Sequence, residues 1–280
     1  NSKEIAQKVI SKNITIDQID DDLISDKDEI AVITVEGSIM EGNSSQGVAG
    51  ADEIVKQIRS AHESQDTKAI VLRVNSGGGS VIASEMMRDE LFEAKSKGIG
   101  VVVSMGDVAA SGGVYISTPA DYIFAEPTSI TGSIGVAIAV PTFENVMDYI
   151  GINFDGVVTS SYGGWDPTQP IDEDLDRIIE SSVSGVYDRF IQFVADSRSQ
   201  SYDDIKAIAG GRVWIGTAAE ELGLVDEIGG INEAIAHAAE LSQIEGYKVE
   251  YYGQETSFEE RLIGELLTIT GISIQEPKIC

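Results

Sequence analysis

One serine stands in a setting typical of an enzyme nucleophile. Ser111 lies in the small-residue run AASGG (residues 109–113), at the predicted junction between a hydrophobic strand and a short helix. The helix N-terminus adds positive potential there, and the N–H group of Gly112 could stabilise a developing oxyanion. The alternative is that Ser111 only caps the helix, as serine does at many helix N-termini. These residues alone leave both interpretations open.

A glycine-rich turn follows another predicted strand. Residues 75–80 are NSGGGS, in which glycines without a Cβ allow close approach to backbone N–H groups. The turn lacks the GK[ST] ending of a phosphate loop and the spaced glycines of a dinucleotide-binding motif. Both turns come at the carboxyl ends of strands, where open α/β sheets bind ligands. A GGG turn by itself is as typical of a tight structural turn as of a site.

A nucleophilic serine needs a base, and no obvious one is present. His62 falls at the end of a predicted helix, where we expect it to be exposed, and His237 falls in an alanine-rich helix. Both are typical of surface or packing residues, which argues against a Ser-His-Asp triad. Lysine is the other base of serine enzymes, when burial lowers its pKa. The chain has no lysine between Gly98 and Ile205.

Composition excludes several classes of function. The 280 residues are 42% hydrophobic and carry a formal net charge of −28, which argues against nucleic-acid binding through a basic face. Cys280 is the single cysteine, so neither an intrachain disulfide nor a cysteine-based zinc site is expected. No run of eighteen apolar residues predicts a transmembrane helix, and residues 1–12 lack the apolar core of a signal peptide.

The elements that must position these residues alternate between strand and helix. Apolar runs predict strands at 30–35, 69–74, 99–105, 122–125, 130–137, 153–159 and 248–252. Helices are predicted at 51–64, 80–97, 141–150, 173–197, 202–209, 217–223 and 233–242, and the second should direct Ile82, Met86 and Leu91 inward. The spacing favours a parallel-rich α/β layer, but it does not separate a doubly wound sheet from a spiral of ββα units.

Three segments resemble the signal peptide peptidase A (protease IV) family, serine peptidase family S49. They are AIVLRVNSGGGSVIASE (69–85), VVVSMGDVAASGGVYISTPADYIFAEPTSITGSIGV (101–136) and GRVWIGTAAEELGLVDEIGG (211–230). The family consists of serine peptidases with a Ser-Lys dyad on a ClpP/crotonase-like fold. The resemblance therefore implies a spiral of ββα units in a single compact domain, over residues 29–255. Residues 1–28 are then an acidic N-terminal arm or linker, and residues 256–280 a C-terminal helical tail.

The resemblance also implies where the base comes from. In the short form of the family, the lysine lies in the loop after the strand that corresponds to residues 153–159. Here that loop is SSYGGWDP, and the matching position falls at about Gly163, which has no amine. The chain thus resembles the carboxyl-terminal half of the long form. We expect the N-terminal half of the same enzyme to supply the lysine.

Site residues follow from the resemblance position by position. Ser111 would be the nucleophile, and Ser133 would orient the lysine, although by itself Ser133 suggests only a turn hydroxyl. The N–H groups of Gly78 and Gly112 would form the oxyanion hole, and Asp107 would remain a surface carboxylate. The backbone edges after the glycine turn and around residues 130–136 would pair with an extended peptide. The expected substrate-binding residues are Gly79, Ser80, Val81, Thr131 and Gly132.

The expected function is that of a serine endopeptidase acting on cleaved signal peptides and other small hydrophobic peptides, without metal or cofactor. A homo-oligomer at the periplasmic face of a bacterial inner membrane is expected, with the anchor in the N-terminal portion outside this sequence. One alternative is a catalytically incomplete half that binds peptide or builds an assembly. Another is a crotonase-type acyl-CoA enzyme, which the acidic composition and the AASGG turn disfavour.

Overall fold

The computed structural model describes residues 28–152, 154, 166–168 and 170–253. The predicted arm and tail, most of the predicted strand at 153–159 and Gly163 lie outside this part of the chain. The strands are β1 (Asp28–Glu36), β2 (Ser38–Met40), β3 (Val48–Gly50), β4 (Thr67–Ser76), β5 (Gly100–Ala110), β6 (Tyr122–Ala125), β7 (Ile130–Gly132), β8 (Val213–Ile215), β9 (Glu227–Ile228) and β10 (Tyr247–Tyr252). The helices are α1 (Ala51–Glu63), α2 (Val81–Ser96), α3 (Gly112–Ser117), α4 (Glu144–Ile150), α5 (Glu173–Arg198), α6 (Tyr202–Ile208), α7 (Gly216–Glu221) and α8 (Ile231–Leu241).

The main sheet is parallel and is covered on both faces. Its strand order is β10-β1-β4-β5-β6-β9. On one face, residues such as Ile33 and Leu72 pack with residues of α1 and α2. On the other face, residues such as Val32 and Val71 pack against Ala234 and neighbouring residues of α8. Because both faces are buried, the strands are continuous β-branched runs rather than alternating ones, which is why the sequence identifies them well.

Strand β5 belongs to two parts of the sheet. Its first half pairs with β4 and β6, but the register to β4 then shifts, so that Ser76 pairs with Ala109. The second half, from Val108 to Ala110, pairs with β7, and β7 pairs antiparallel with β8. A strand that is shared in this way distinguishes the molecule from a simple doubly wound sheet. It also places the residue after β5, Ser111, where the two parts meet.

Two local predictions are wrong. In α2 Leu91 is buried as predicted, but Ile82 is 66% exposed and Met86 is also exposed. The buried apolar residues of this helix are Ala83, Met87, Leu91 and Ala94. This helix has apolar residues on both sides, so its periodicity does not identify a unique inner face. Strand β7 ends at Gly132 rather than continuing to residue 137. Strands β1, β4, β6 and β10 and most helices are within a few residues of their predicted bounds, and β5 extends five residues beyond its predicted end. The short strands β2, β3, β8 and β9 are not among the predicted ones.

No helix in the described ranges is both long enough and apolar enough to cross a membrane.

Candidate active site

Ser111 has a strained backbone and does not cap the helix that follows it. Its φ is 51° and its ψ is −114°, a conformation that costs a non-glycine residue of order 1–3 kcal/mol. The Ser111 N–H donates to the Gly132 carbonyl at 2.9 Å, which fixes this turn to β7. The side chain accepts no capping hydrogen bond from α3. The capping interpretation is therefore wrong, because the Ser111 hydroxyl is not engaged with the N-terminus of α3.

The two glycine-containing turns touch each other. A Cβ placed on Gly78 would lie 2.5 Å from the Gly112 nitrogen and 2.8 Å from the Ser111 Cβ. A Cβ placed on Gly112 would lie 3.1 Å from the Gly78 Cα and 3.2 Å from the Gly79 nitrogen. The two distances at Gly78 leave no room for a Cβ, and the two at Gly112 are tighter than ordinary Cβ contacts, so glycine permits the close approach. The structure thus brings together four of the residues that the sequence assigned to the site.

The backbone N–H groups near Ser111 are not equivalent. The Gly78 N–H donates to the Ser76 hydroxyl at 3.1 Å, so it is already occupied. Neither the Gly79 N–H nor the Gly112 N–H has a hydrogen-bond partner among the described residues. Gly112 is the first residue of α3, where helix geometry provides no internal acceptor. The N–H groups of Gly79 and Gly112 are therefore the two that can donate a hydrogen bond to a ligand.

One edge of the glycine turn is already paired within the chain. The Ile39 N–H donates to the Gly78 carbonyl at 3.0 Å, and the Ser80 N–H donates to the Ile39 carbonyl at 2.8 Å. In such a parallel bridge, the N–H and C=O of Gly79 point to the opposite side. Ser80 also accepts from the Ala83 N–H and so caps α2. An extended ligand can therefore pair only with the Gly79 edge of this turn.

The residues at 131–133 are held by their own neighbours. The Thr131 hydroxyl donates to the Ala109 carbonyl at 2.7 Å, and the Gly132 carbonyl receives the Ser111 N–H. Ser133, with φ 51°, donates its N–H to the Arg212 carbonyl at 2.6 Å. Since β7 has β5 on one side and β8 on the other, residues 130–132 offer no open edge to a substrate. Their visible role is to hold the Ser111 turn.

A pocket lined by both apolar side chains and polar groups lies beside Ser111. Tyr115, one turn further along α3, is 4% exposed and forms part of its wall. The Tyr115 hydroxyl donates to the Glu85 carboxylate, and burial together with that hydrogen bond raises the pKa of Tyr115. Tyr115 is not among the predicted site residues. Its position four residues after Ser111, one helical turn away, is the signal that could have placed it beside the serine. The lining residues are Gly79, Val81, Ser84, Ser111, Gly112, Tyr115, Gly135, Val136, Val186 and Phe190.

Both histidines are engaged far from the serine turn. His62 is buried rather than exposed, which corrects the prediction: its Nε2 lies 2.7 Å from Glu90 and its Nδ1 lies 2.9 Å from Lys97 Nζ. Because an ammonium group can only donate, Nδ1 accepts and Nε2 donates to the carboxylate. His237 stacks on the ring of Tyr122 with centroids 4.0 Å apart. The expected packing role is confirmed for His237, whereas His62 is a buried member of a hydrogen-bonded cluster.

Most lysines in the described ranges are also engaged elsewhere, and Lys56 is exposed on α1. Lys95 lies 2.8 Å from Asp121, and Lys248 lies 3.2 Å from Glu29. Lys206 lies over the ring of Tyr202. No hydrogen bond joins a lysine to Ser111 or Ser133 within the part of the chain that the structure describes. This part therefore presents a serine and two N–H donors without a base.

Comparison with known proteins identifies the family. The profile of Peptidase family S49 matches residues 93–245, and the profile of Clp protease matches residues 26–136. The chain belongs to peptidase family S49. The S49 match confirms the resemblance that the sequence motifs suggested. The Clp protease match, with the mostly parallel α/β sheet, confirms the ClpP-like fold.

Relatives in three organisms share much of this sequence. Protease 4 of Salmonella typhi is 46% identical over 81% of the chain, and Protease 4 of Haemophilus influenzae is 41% identical over 89%. The chloroplastic serine protease SPPA of Arabidopsis thaliana is 34% identical over 89%. The matched segment spans 37%, 41% and 38% of the length of these three proteins. The chain thus corresponds to about two fifths of each relative.

Proposed function

We propose that this chain carries the nucleophile and the oxyanion hole of a serine endopeptidase, with Ser111 as the nucleophile. The observation that supports this most is the strained backbone of Ser111, next to the N–H groups of Gly79 and Gly112, which have no partner among the described residues. Strain at a residue whose hydroxyl does not cap its helix is typical of functional sites. Membership of family S49 supports the same role. The oxyanion donor is the Gly79 N–H rather than the Gly78 N–H that the sequence predicted, because the Gly78 N–H already donates to the Ser76 hydroxyl.

The reaction is acyl transfer in two halves. The Ser111 Oγ attacks the carbonyl carbon of the peptide while a lysine amine takes its proton. The negative oxygen of the tetrahedral intermediate accepts hydrogen bonds from Gly79 and Gly112. The C–N bond breaks, the protonated lysine gives its proton to the leaving amine, and an ester to Ser111 remains. Water, deprotonated by the same lysine, then hydrolyses the ester and restores the serine.

The lysine comes from another segment of the complete enzyme, which we propose is an N-terminal half. Two observations support this. No hydrogen bond joins a lysine of the described ranges to Ser111 or Ser133, and most of these lysines have other partners. The chain also covers about two fifths of the length of the Protease 4 relatives. Ser133, which follows the carbonyl that fixes Ser111, then orients the incoming amine. The complete enzyme is a homo-oligomer at the periplasmic face of a bacterial inner membrane.

The substrates are peptides with small or aliphatic side chains, such as cleaved signal peptides. The pocket beside Ser111 supports this, since Val81, Val136 and Val186 contribute to its wall. The peptide backbone pairs with the open edge of Gly79 in an extended conformation.

The test compares the protein expressed from its complete gene with two serine variants. Ser111→Ala should reduce hydrolysis of an apolar peptide by at least about 10³-fold and abolish labelling by a fluorophosphonate. Ser96→Ala is the matched control, because that hydroxyl only donates to the Glu93 carbonyl on α2, and it should behave as wild type. Unchanged hydrolysis in Ser111→Ala would refute the proposal.

The isolated 280-residue chain tests the origin of the base. It should hydrolyse peptides poorly and gain activity when the N-terminal half is added. Full activity of the chain alone, lost in Ser111→Ala, would refute the external lysine and leave the nucleophile intact. Binding of peptide without hydrolysis in the complete enzyme would favour the alternative of a binding half.

A further inference from the structure

We propose that the hydrogen bond between Tyr115 and Glu85 sets the spacing of the oxyanion hole, which makes both of them positioning residues. The proposal rests on the function proposed above. It assigns a task to two residues that never touch the reacting atoms. Their effect passes through the two helices that carry the Gly79 and Gly112 N–H groups.

The two donors lie on separate segments of the chain. Gly79 comes just before α2, and Gly112 is the first residue of α3. The distance between the two N–H groups therefore depends on how α2 packs against α3. Since both donors must approach one oxygen atom at about 3 Å, a shift of one helix along the other would misplace one of them.

Polar contacts join α2 to α3 and to the residues that follow it. Closest to the site, the Tyr115 hydroxyl donates to the Glu85 carboxylate. One turn along α2, the Arg88 Nε donates to the Thr118 Oγ1 at 3.0 Å. Further on, the Lys95 Nζ donates to the Pro119 carbonyl at 2.6 Å. Together these contacts fix the position of α3 along α2.

Among the residues that join α2 to α3, Tyr115 also contacts the Ser111 turn. Its N–H donates to the Ser111 carbonyl at 3.0 Å, and its ring forms part of the pocket wall beside Ser111. A displacement of Tyr115 thus moves the turn that carries both the nucleophile and the Gly112 N–H.

Packing alone does not explain a tyrosine at this position. Its ring lies 5.0 Å from the ring of Phe190 and 5.6 Å from that of Phe193, so phenylalanine would fill the same space. The hydroxyl adds a polar group that burial penalises unless it is bonded. Burial also raises the pKa of Tyr115, which keeps its proton available for Glu85. The Arg88 guanidinium lies 3.7 Å from the same carboxylate and holds it in place.

The experiment uses the complete enzyme with Tyr115→Phe, Glu85→Ala and Glu85→Gln. Tyr115→Phe and Glu85→Ala should each lower kcat by about 10- to 100-fold, because a misplaced donor weakens stabilisation of the oxyanion. KM should stay within about twofold, since the pocket wall is kept. The rate of fluorophosphonate labelling at Ser111 should fall in parallel. Glu85→Gln keeps an acceptor oxygen and should recover most of the lost rate.

The matched control is Tyr122→Phe. That tyrosine also donates to a glutamate, Glu227, at 3.0 Å, but it lies in β6 beside His237. It should keep the wild-type kcat, and all four variants should melt within about 4 °C of wild type.

Three outcomes would overturn the proposal. The first is a wild-type kcat and labelling rate in Tyr115→Phe, and the second is a loss confined to KM, which would make Tyr115 only a wall of the pocket. The third is a loss in Glu85→Gln as large as in Glu85→Ala. Absence of labelling at Ser111 in wild type would instead refute the proposed nucleophile, so the two failures are distinguishable.

Discussion

The Ser111 turn and the cluster around His62 differ in how completely their polar groups are bonded. At the Ser111 turn, the backbone is strained and two N–H groups have no partner among the described residues. We define the His62 cluster as Arg59, His62, Glu90 and Lys97, which join α1 to α2 and its end. There both nitrogens of the imidazole and both oxygens of the carboxylate are bonded. The first region has two N–H donors without a partner among the described residues, whereas the imidazole and the carboxylate of the second are fully engaged.

Residue type alone therefore does not show where the base for Ser111 lies. Histidine, lysine and glutamate, which could serve as bases, occur together in the His62 cluster, but they stabilise the contact between two helices. The serine turn contains none of them. Changes at the serine turn should therefore affect activity more than stability, and changes in the His62 cluster should do the reverse. The following predictions test that division.

Apart from removal of the Ser111 hydroxyl itself, the largest effect is expected from Gly78→Ala. A Cβ there would lie 2.5 Å from the Gly112 nitrogen, and the φ of 97° is unfavourable for alanine. Hydrolysis by the complete enzyme should fall by about 10²- to 10³-fold, comparable to loss of an oxyanion donor. The free energy of unfolding should fall by only about 1–2 kcal/mol. Gly77→Ala is the control: its Cβ would meet nothing within 4 Å, and it should retain activity.

A smaller effect, on stability alone, is expected from Glu90→Gln. Burial opposes ionisation, but hydrogen bonds from Arg59 and His62 outweigh it and lower the pKa of Glu90. Above the unfolded-chain pKa of about 4.3, the ionised carboxylate stabilises the fold, and this contribution is lost as the pH falls through the lower folded pKa. Urea unfolding should show a deficit of about 1–3 kcal/mol near neutral pH that disappears in acid. The kcat should not change.

Glu93→Gln provides the control for that measurement. Its carboxylate lies on the same helix and pairs with Lys97 at 3.6 Å, but the pair is exposed. It should change stability by less than about 0.5 kcal/mol. Equal deficits in both variants, or a deficit in Glu90→Gln that persists in acid, would contradict the division between the two regions.

The smallest expected effect is a gain in stability. Ser111→Gly should be more stable than Ser111→Ala by about 1 kcal/mol, because glycine accepts a φ of 51° and a ψ of −114° without strain, although it adds flexibility to the unfolded chain. Both variants should be inactive, so paired chemical denaturation curves suffice to measure the difference. An alanine variant as stable as the glycine variant would show that the turn stores no strain.

Much of the fold can be predicted from the sequence, for a physical reason. Strands buried on both faces must be continuous apolar runs, so β1, β4 and the first half of β5 stand out. The inner face of α2 cannot be predicted in this way, because Ile82 and Met86 are as apolar as the buried Ala83 and Met87. The burial of His62 also escapes prediction, since it depends on Glu90, which is far along the chain.

The motifs point to the residues of the proposed site, but not to its geometry. The motifs identify Ser111 and the glycine turn, and the structure places them in contact. Tertiary contacts decide which backbone N–H groups can bind a ligand. These contacts are the hydrogen bond to the Ser76 hydroxyl and the bridge to Ile39. The Tyr115–Glu85 hydrogen bond likewise joins positions 30 residues apart, and no local pattern indicates it.

The position of β10 has a consequence for how the protein folds during synthesis. β10 is the last described strand, and it pairs with β1, the first, at the edge of the sheet. Until Tyr247–Tyr252 have emerged from the ribosome, the edge of β1 that pairs with β10 lacks this partner, and unpaired strand edges promote aggregation. We expect this edge to be a point of vulnerability in the nascent chain until β10 is in place.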